Sequence, residues 1–298
     1  MQTPNFLFGS DGKLRSGWRF AAFTAVFVLT YIFLVSIAFT VFQGLGLDPA
    51  GPNWFLVHSV IALAIALVLG WLAGKYFEQI PFESLGASFK NSWLPNSLIG
   101  LAAGVATFAL AAGVAMLFGG MRFSFNADAG ASSIATTLLI SFVVFAVAAA
   151  FEEALFRGYI LQTFIRSDLT VFGIVLTSLL FASIHNSNPS ASTISWTNTF
   201  LAGVWLGIAY LKTRDLWFPT GLHLAWNWAQ GSIFGIEVSG LTDISKNPVL
   251  REMDLGPAWL TGGSYGMEGG IATTIAILVS TVVILIVTPS SAKSEPPA

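Results

Sequence analysis

The stretch AAAFEEALFRGYI, Ala148 to Ile160, sets two adjacent carboxylates, Glu152 and Glu153, and then Arg157, directly behind a run with no charge at all. From Ile134 to Phe151 the chain holds eighteen uncharged residues, which as a helix is long enough to cross the ~30 Å hydrocarbon core of a bilayer. An apolar span that ends on three charges is the pattern to explain, and the rest of the chain supplies its context.

Only 9% of the residues are charged and the mean hydropathy is +0.75, against roughly 25% charged residues in a soluble domain. The solvent of this chain is lipid. Uncharged runs recur over Phe20 to Phe42, Trp54 to Gly74, Leu98 to Phe118, Ile134 to Phe151, Ile194 to Leu211, Leu216 to Ile236 and Ile271 to Thr288, with a shorter one from Leu169 to Ile184. The runs are continuously apolar rather than alternating, so helices and not barrel strands satisfy the backbone in lipid. The expected fold is all-α, a polytopic membrane helix bundle with about eight transmembrane helices.

The first run follows Lys13, Arg15 and Arg19, and its 23-residue uncharged core exceeds the roughly 7 to 15 residues of a signal-peptide core. It reads as a retained anchor. With the N-terminus inside, the cytoplasmic segments hold Lys13, Arg15, Arg19, Lys75, Lys90, Arg166, Lys212, Arg214 and Lys293, and the outer ones only Arg122, Lys246 and Arg251. That bias orients both termini to the cytoplasm. The organisation expected is a cytoplasmic segment at 1–19, one membrane-embedded domain over 20–288 and a disordered tail at 289–298, in a protein of the cell membrane. A net charge of −2 without a basic cluster argues against nucleic acid as a partner, and the absence of cysteine removes disulfides, thiolate nucleophiles and cysteine zinc sites.

A charge at bilayer depth costs at least ~2.5 to 3.5 kcal/mol, which makes intramembrane ionisable residues functional candidates. Glu153 and Arg157 are four apart with the acid first, the favourable order for an ion pair on one helical face. Glu152 lies about 100° around the helix and needs a partner from elsewhere. Arg166-Ser167-Asp168 marks a turn, with Ser167 or Asp168 a suitable N-cap for the helix after it. Counted from that turn, Glu152 and His185 stand at equal height in an antiparallel hairpin, ~25 Å up at 1.5 Å per residue. In GLHLAWNWAQG, His223 and Asn227 share a helical face. Alone, such a pair reads more often as hydrogen-bonding glue between helices, whereas with Glu152 and His185 at similar depth it reads as part of a site. His58 lacks such company and is expected to be a packed, hydrogen-bonded histidine.

A carboxylate and an imidazole on neighbouring helices can hold a water whose proton the carboxylate takes. A histidine N–H and an asparagine amide can donate to the developing oxyanion. One glutamate and two histidines could instead hold zinc, although no His-Glu-x-x-His is present, and a proton relay would call for inverted repeats that the sequence does not show. The 32 residues from Glu237 to Glu268 form the longest connection and include GPAWLTGGSYGMEGG. They can serve as a lid or as an ordinary outer loop.

Three motifs stand in order on successive helices: EEALFR as Glu-Glu-x-x-x-Arg, FASIH as Phe-x-x-x-His, and HLAWN as His-x-x-x-Asn. Together they resemble the CPBP family, the CAAX protease and bacteriocin-processing or Abi proteins, which include the Rce1-type CAAX prenyl endopeptidases. The resemblance covers Glu152 to Asn227 and does not extend clearly to the first three helices or the C-terminal third. It implies an intramembrane glutamic endopeptidase without metal or other cofactor. On that reading Glu152 and His185 activate water, His223 and Asn227 form the oxyanion site, and Glu153, Arg157 and Phe181 support them. The implied partners are the lipid bilayer and a peptide or protein substrate, lipidated or not; the family also contains catalytically silent scaffold and immunity proteins, the alternative for this chain. Substrate and oligomeric state are not encoded in these motifs.

Overall fold

The computed structural model describes residues 6–9, 12–48, 51–89, 92–241 and 244–288. Lys90, Lys293 and the 289–298 tail lie outside the described residues. Each uncharged run falls mainly in a helix, the run Leu216 to Ile236 overrunning its helix by Phe234 to Ile236. The helices are α1 (Ser16–Gly44), α2 (Asn53–Glu78), α3 (Trp93–Leu117), α4 (Ala131–Ile165), α5 (Thr170–His185), α6 (Thr193–Thr213), α7 (Trp217–Trp228) and α8 (Ile271–Val287). Among the described residues four helices, α1 to α4, are long and apolar enough to cross a membrane. The apolar helices α5 and α8 stop at 16 and 17 residues, so an expectation of about eight full spans is met in helix content but in membrane-crossing length only for those four.

Local chemistry sets the helix ends. Ser192 and Ser195 form a reciprocal capping box at the start of α6, and the Asp215 carboxylate accepts from the backbone N–H of Trp217 and Phe218 at 3.0 and 3.2 Å, capping α7. The turn after α4 behaves differently from expectation. Leu169 occupies the N-cap of α5 with no side-chain hydrogen bond, and Asp168 takes a left-handed φ of 58°. That geometry spends Asp168 on the turn and leaves neither it nor Ser167 to cap the helix.

Three helices lapse into π geometry: α2 over Gly74–Glu78, α4 over Ala154–Ile160, and the continuation of α7 over Ala229–Ile233. Such segments re-aim side chains by inserting a residue into a turn and are frequent at functional sites. Gln162 steadies the α4 segment, donating to the carbonyls of Arg157 at 3.2 Å and Leu85 at 3.0 Å.

Two apolar cores flank the centre. One, built by α1, α2, α4 and α5, includes Phe23, Phe27, Ile65, Leu155, Tyr159 and Phe181. The other, on α3, α6, α7 and α8, includes Phe108, Trp205, Leu206, Leu222, Trp226 and Ile277. Helices α3 and α7 approach closely because Gly100 and Gly104 face α7 and Gly221 faces α3; a Cβ on Gly104 would lie 2.7 Å from that of Ala225. At one end of the bundle Glu78 accepts from Arg19, Arg166 and Thr163, tying α1, α2 and the α4–α5 turn together. At the other, strands β1 (Met121–Phe125) and β2 (Leu250–Asp254) pair antiparallel, with Met121 opposite Asp254.

Candidate active site

The predicted residues converge between the two cores. Arg157 and Glu153 are both fully buried and pair at 3.0 Å, the bond surviving the π segment that begins after Glu153. The second guanidinium nitrogen of Arg157 donates to the Gly203 carbonyl on α6 at 2.9 Å. Helix α6 comes near enough because Gly203 has no side chain: a Cβ there would stand 2.7 Å from Ser178 Cα on α5. Phe181 covers the arginine, its ring 5.2 Å from the guanidinium carbon, and also packs edge-on against Phe156 and His223.

His223 joins the pair from α7. Its Nδ1 lies 3.0 Å from the same Glu153 oxygen that Arg157 contacts. Because a carboxylate can only accept, Nδ1 carries the hydrogen, which fixes the role of that nitrogen. The other nitrogen, Nε2, faces Glu152 at 3.7 Å. Glu152 therefore finds its imidazole on another helix, as expected, but the one nearest it is His223 and not His185. Helix geometry explains the arrangement, since Glu152 and Glu153, about 100° apart, present their carboxylates to two nitrogens of one ring.

His185 ends α5. Its Nδ1 is 2.7 Å from the Phe181 carbonyl, so Nδ1 is again the donor and, in the neutral ring, Nε2 is an acceptor. Glu152, His185, His223, Asn227 and Phe181 all line one cavity of about 200 Å³. Glu152 Oε2 is buried without a hydrogen-bond partner. Much of the remaining wall is apolar, with Phe145, Trp205, Leu206 and Ile277 among the lining.

The long connection reaches this cavity: Val238, Ser239, Leu241 and Glu268 line it. The Glu268 carboxylate accepts from Trp226 Nε1 at 3.2 Å and from the Ser239 amide and hydroxyl at 2.7 and 2.6 Å. Asn198, buried on α6, donates to the carbonyls of Glu268 and Gly270, each at 2.8 Å. Sequence reasoning marked the connection but not Glu268, Ser239 or Asn198; the only signal was a lone acid in a glycine-rich stretch. His58 departs from its expectation. It packs against Phe55 and Trp54, but its Nδ1 is buried with no hydrogen-bond partner, because its neighbours there are aromatic.

This geometry brings the three motifs together, and all three fall within the stretch that comparison matches. Residues 134–229 match the family described as type II CAAX prenyl endopeptidase Rce1-like. Over that stretch the chain is similar to Rce1-like proteins, and it is an integral membrane protein. The Rce1-like stretch contains Glu152, Glu153, Arg157, Phe181, His185, His223 and Asn227, whereas Ser239 and Glu268 lie beyond it. An uncharacterized 24.3 kDa protein of Escherichia coli is 26% identical over 188 residues, which is 62% of this chain and 83% of that protein. No solved structure matches.

Proposed function

We propose that this chain is an intramembrane endopeptidase that hydrolyses a peptide bond of a membrane-associated substrate, with Glu152 as the general base. The observation that carries the proposal is Glu152, whose buried Oε2 makes no hydrogen bond and lies 3.7 Å from His223 Nε2, lining one cavity with His185, His223 and Asn227. A water held between Glu152 and the His185 Nε2 acceptor gives its proton to Glu152, and the resulting hydroxide attacks the carbonyl carbon. The C=O bond becomes an oxyanion that accepts from the Asn227 amide and, when the His223 ring is doubly protonated with its Nδ1–H held by Glu153, from His223 Nε2–H, donors worth ~3 to 4 kcal/mol each when lost. Collapse breaks the C–N bond, and Glu152 returns the proton to the leaving amine. Glu153 and Arg157 do no bond chemistry; they hold the His223 ring and its Nδ1 proton.

Residues 20–288 act on this reading as one membrane-embedded unit. The end carrying Arg19, Glu78 and Arg166 faces the cytoplasm, and α4, at 35 residues and therefore about 52 Å long, outruns the bilayer there. Substrates are of CAAX or leader-peptide type in the broad sense of peptides presented at a membrane. The test is cleavage of a peptide library by purified protein and by Glu152→Gln, with and without strong chelators. Turnover is expected to fall by at least about 10²-fold with the folded yield kept. Equal activity of the variant would end the assignment and favour a silent scaffold, and loss of activity on chelation with recovery on zinc would end the metal-free mechanism.

A further inference from the structure

Glu268 lies outside the residues that carry the proposed hydrolysis, yet it is the second carboxylate in their cavity. Its placement is built rather than incidental. Buried Asn198 holds its backbone through two carbonyls, and the Asn198 side-chain oxygen is itself held by Thr274 at 2.6 Å. Gly266, at φ +88°, lets the chain pass tight against the Glu237 carbonyl just before Glu268, where any Cβ would collide. Trp226 and Ser239 orient the carboxylate oxygens. Glu268 is only partly buried as a residue and lines the cavity.

The charges facing the cavity are lopsided. Glu152 and Glu268 line it together with two imidazoles, and no lysine or arginine is among the described lining residues. Arg157, behind the cavity-lining Phe181, is engaged by Glu153 and the Gly203 carbonyl. An acidic substrate side chain beside the cut bond would meet two acids and no lysine or arginine to offset them. A substrate ammonium or guanidinium would meet an acceptor that is already aimed. Glu268 and the proposed oxyanion donor Asn227 line the same cavity, so a substrate side chain one to three residues from the scissile bond, at about 3.5 Å per residue, can reach Glu268.

We infer that Glu268 is a specificity-determining residue that receives a lysine or arginine side chain of the substrate close to the cleaved bond. This rests on the proposed peptidase reading for its context but not for its test. One arm measures kcat/KM in detergent for internally quenched peptides carrying Lys, Arg, norleucine or Glu at successive positions on both sides of the cut. The Lys over norleucine ratio at the favoured position is expected to be about tenfold or more, as a charge-assisted bond in a partly desolvated site implies. It collapses to about one in Glu268→Gln and turns in favour of Glu in Glu268→Lys.

A purely structural latch between Trp226 and Ser239 would lower all peptides alike and leave the ratio unchanged, which overturns the inference. The second arm follows binding of the same peptides, fluorescently labelled, to Glu152→Gln protein with and without Glu268→Gln. Glu268-dependent capture of Lys peptides with no cleavage by the native protein would sustain this inference and sink the peptidase reading. Cleavage without basic preference does the reverse, and neither binding nor cleavage overturns both.

Discussion

Replacing Arg157 by methionine is the severest single test of the polar centre. Both partners of the Arg157–Glu153 pair are wholly inaccessible, so the substitution leaves a buried carboxylate without its counter-charge and the Gly203 carbonyl without its donor. Removing one partner of a buried pair costs ~3 to 5 kcal/mol, mostly as the penalty of the stranded charge. Methionine keeps the packing against Phe181 and so isolates the electrostatic loss. At roughly 2 to 4 °C per kcal/mol, the apparent Tm in detergent, followed by tryptophan fluorescence, is expected to fall by about 10 °C. Adding Glu153→Gln removes the stranded charge while leaving an oxygen for His223 Nδ1, so the double variant should regain ~1 to 3 kcal/mol over Arg157→Met alone, a coupling typical of touching groups. A single variant within about 1 kcal/mol of native, or a double variant whose loss equals the sum of the two singles, would refute the reasoning.

Three further outcomes are expected. Gly104→Ala puts a Cβ 2.7 Å from that of Ala225 and 3.1 Å from the Trp226 amide nitrogen, so it should cost ~1 to 3 kcal/mol and, by displacing α7, lower activity more than a matched substitution on the exposed face of α3; unchanged thermal unfolding would contradict the close packing. On β2, outside the spans, burial and then the neighbouring Glu237 and Asp254 push the Glu252 carboxyl up to about 8 from 4.5. Because its folded form binds the proton more tightly than the unfolded chain, it adds stability that is full below about pH 4.5 and is lost as pH rises through 8; Glu252→Gln should flatten that window in melts taken across it, and an unaltered slope would discount the group. A single cysteine at Ser167, beside but not part of the Glu78 ion cluster, should react with a membrane-impermeant reagent only in inside-out vesicles, whereas labelling in intact cells would invert the orientation.

The helices and the identity of the polar cluster were legible because both follow from local properties. An uncharged run of membrane length leaves the backbone no alternative to a helix, and Glu153 with Arg157 requires only the helical repeat. The resemblance carried by EEALFR, FASIH and HLAWN likewise depends on spacing along single helices. Arg19 and Arg166 were legible only as orienting charges, since their common partner Glu78 is far away in sequence. Glu268 was hidden for the same reason. Nothing in GSYGMEGG tells that its one acid folds back onto Trp226.

The sequence by itself determined that the chain lives in lipid, that it is helical, and which few polar side chains interrupt its apolar helices, because hydropathy and spacing along a helix are readable without knowing neighbours. Only the tertiary structure decided that His223 stands between the two glutamates, that His185 is tied to the Phe181 carbonyl, and that the long connection brings a second carboxylate into the cavity. Those contacts depend on how far each helix is rotated and offset against the next. The π segments in α4 and beyond α7, and the close approaches at Gly100, Gly104 and Gly203, set those rotations through packing between residues distant in the chain.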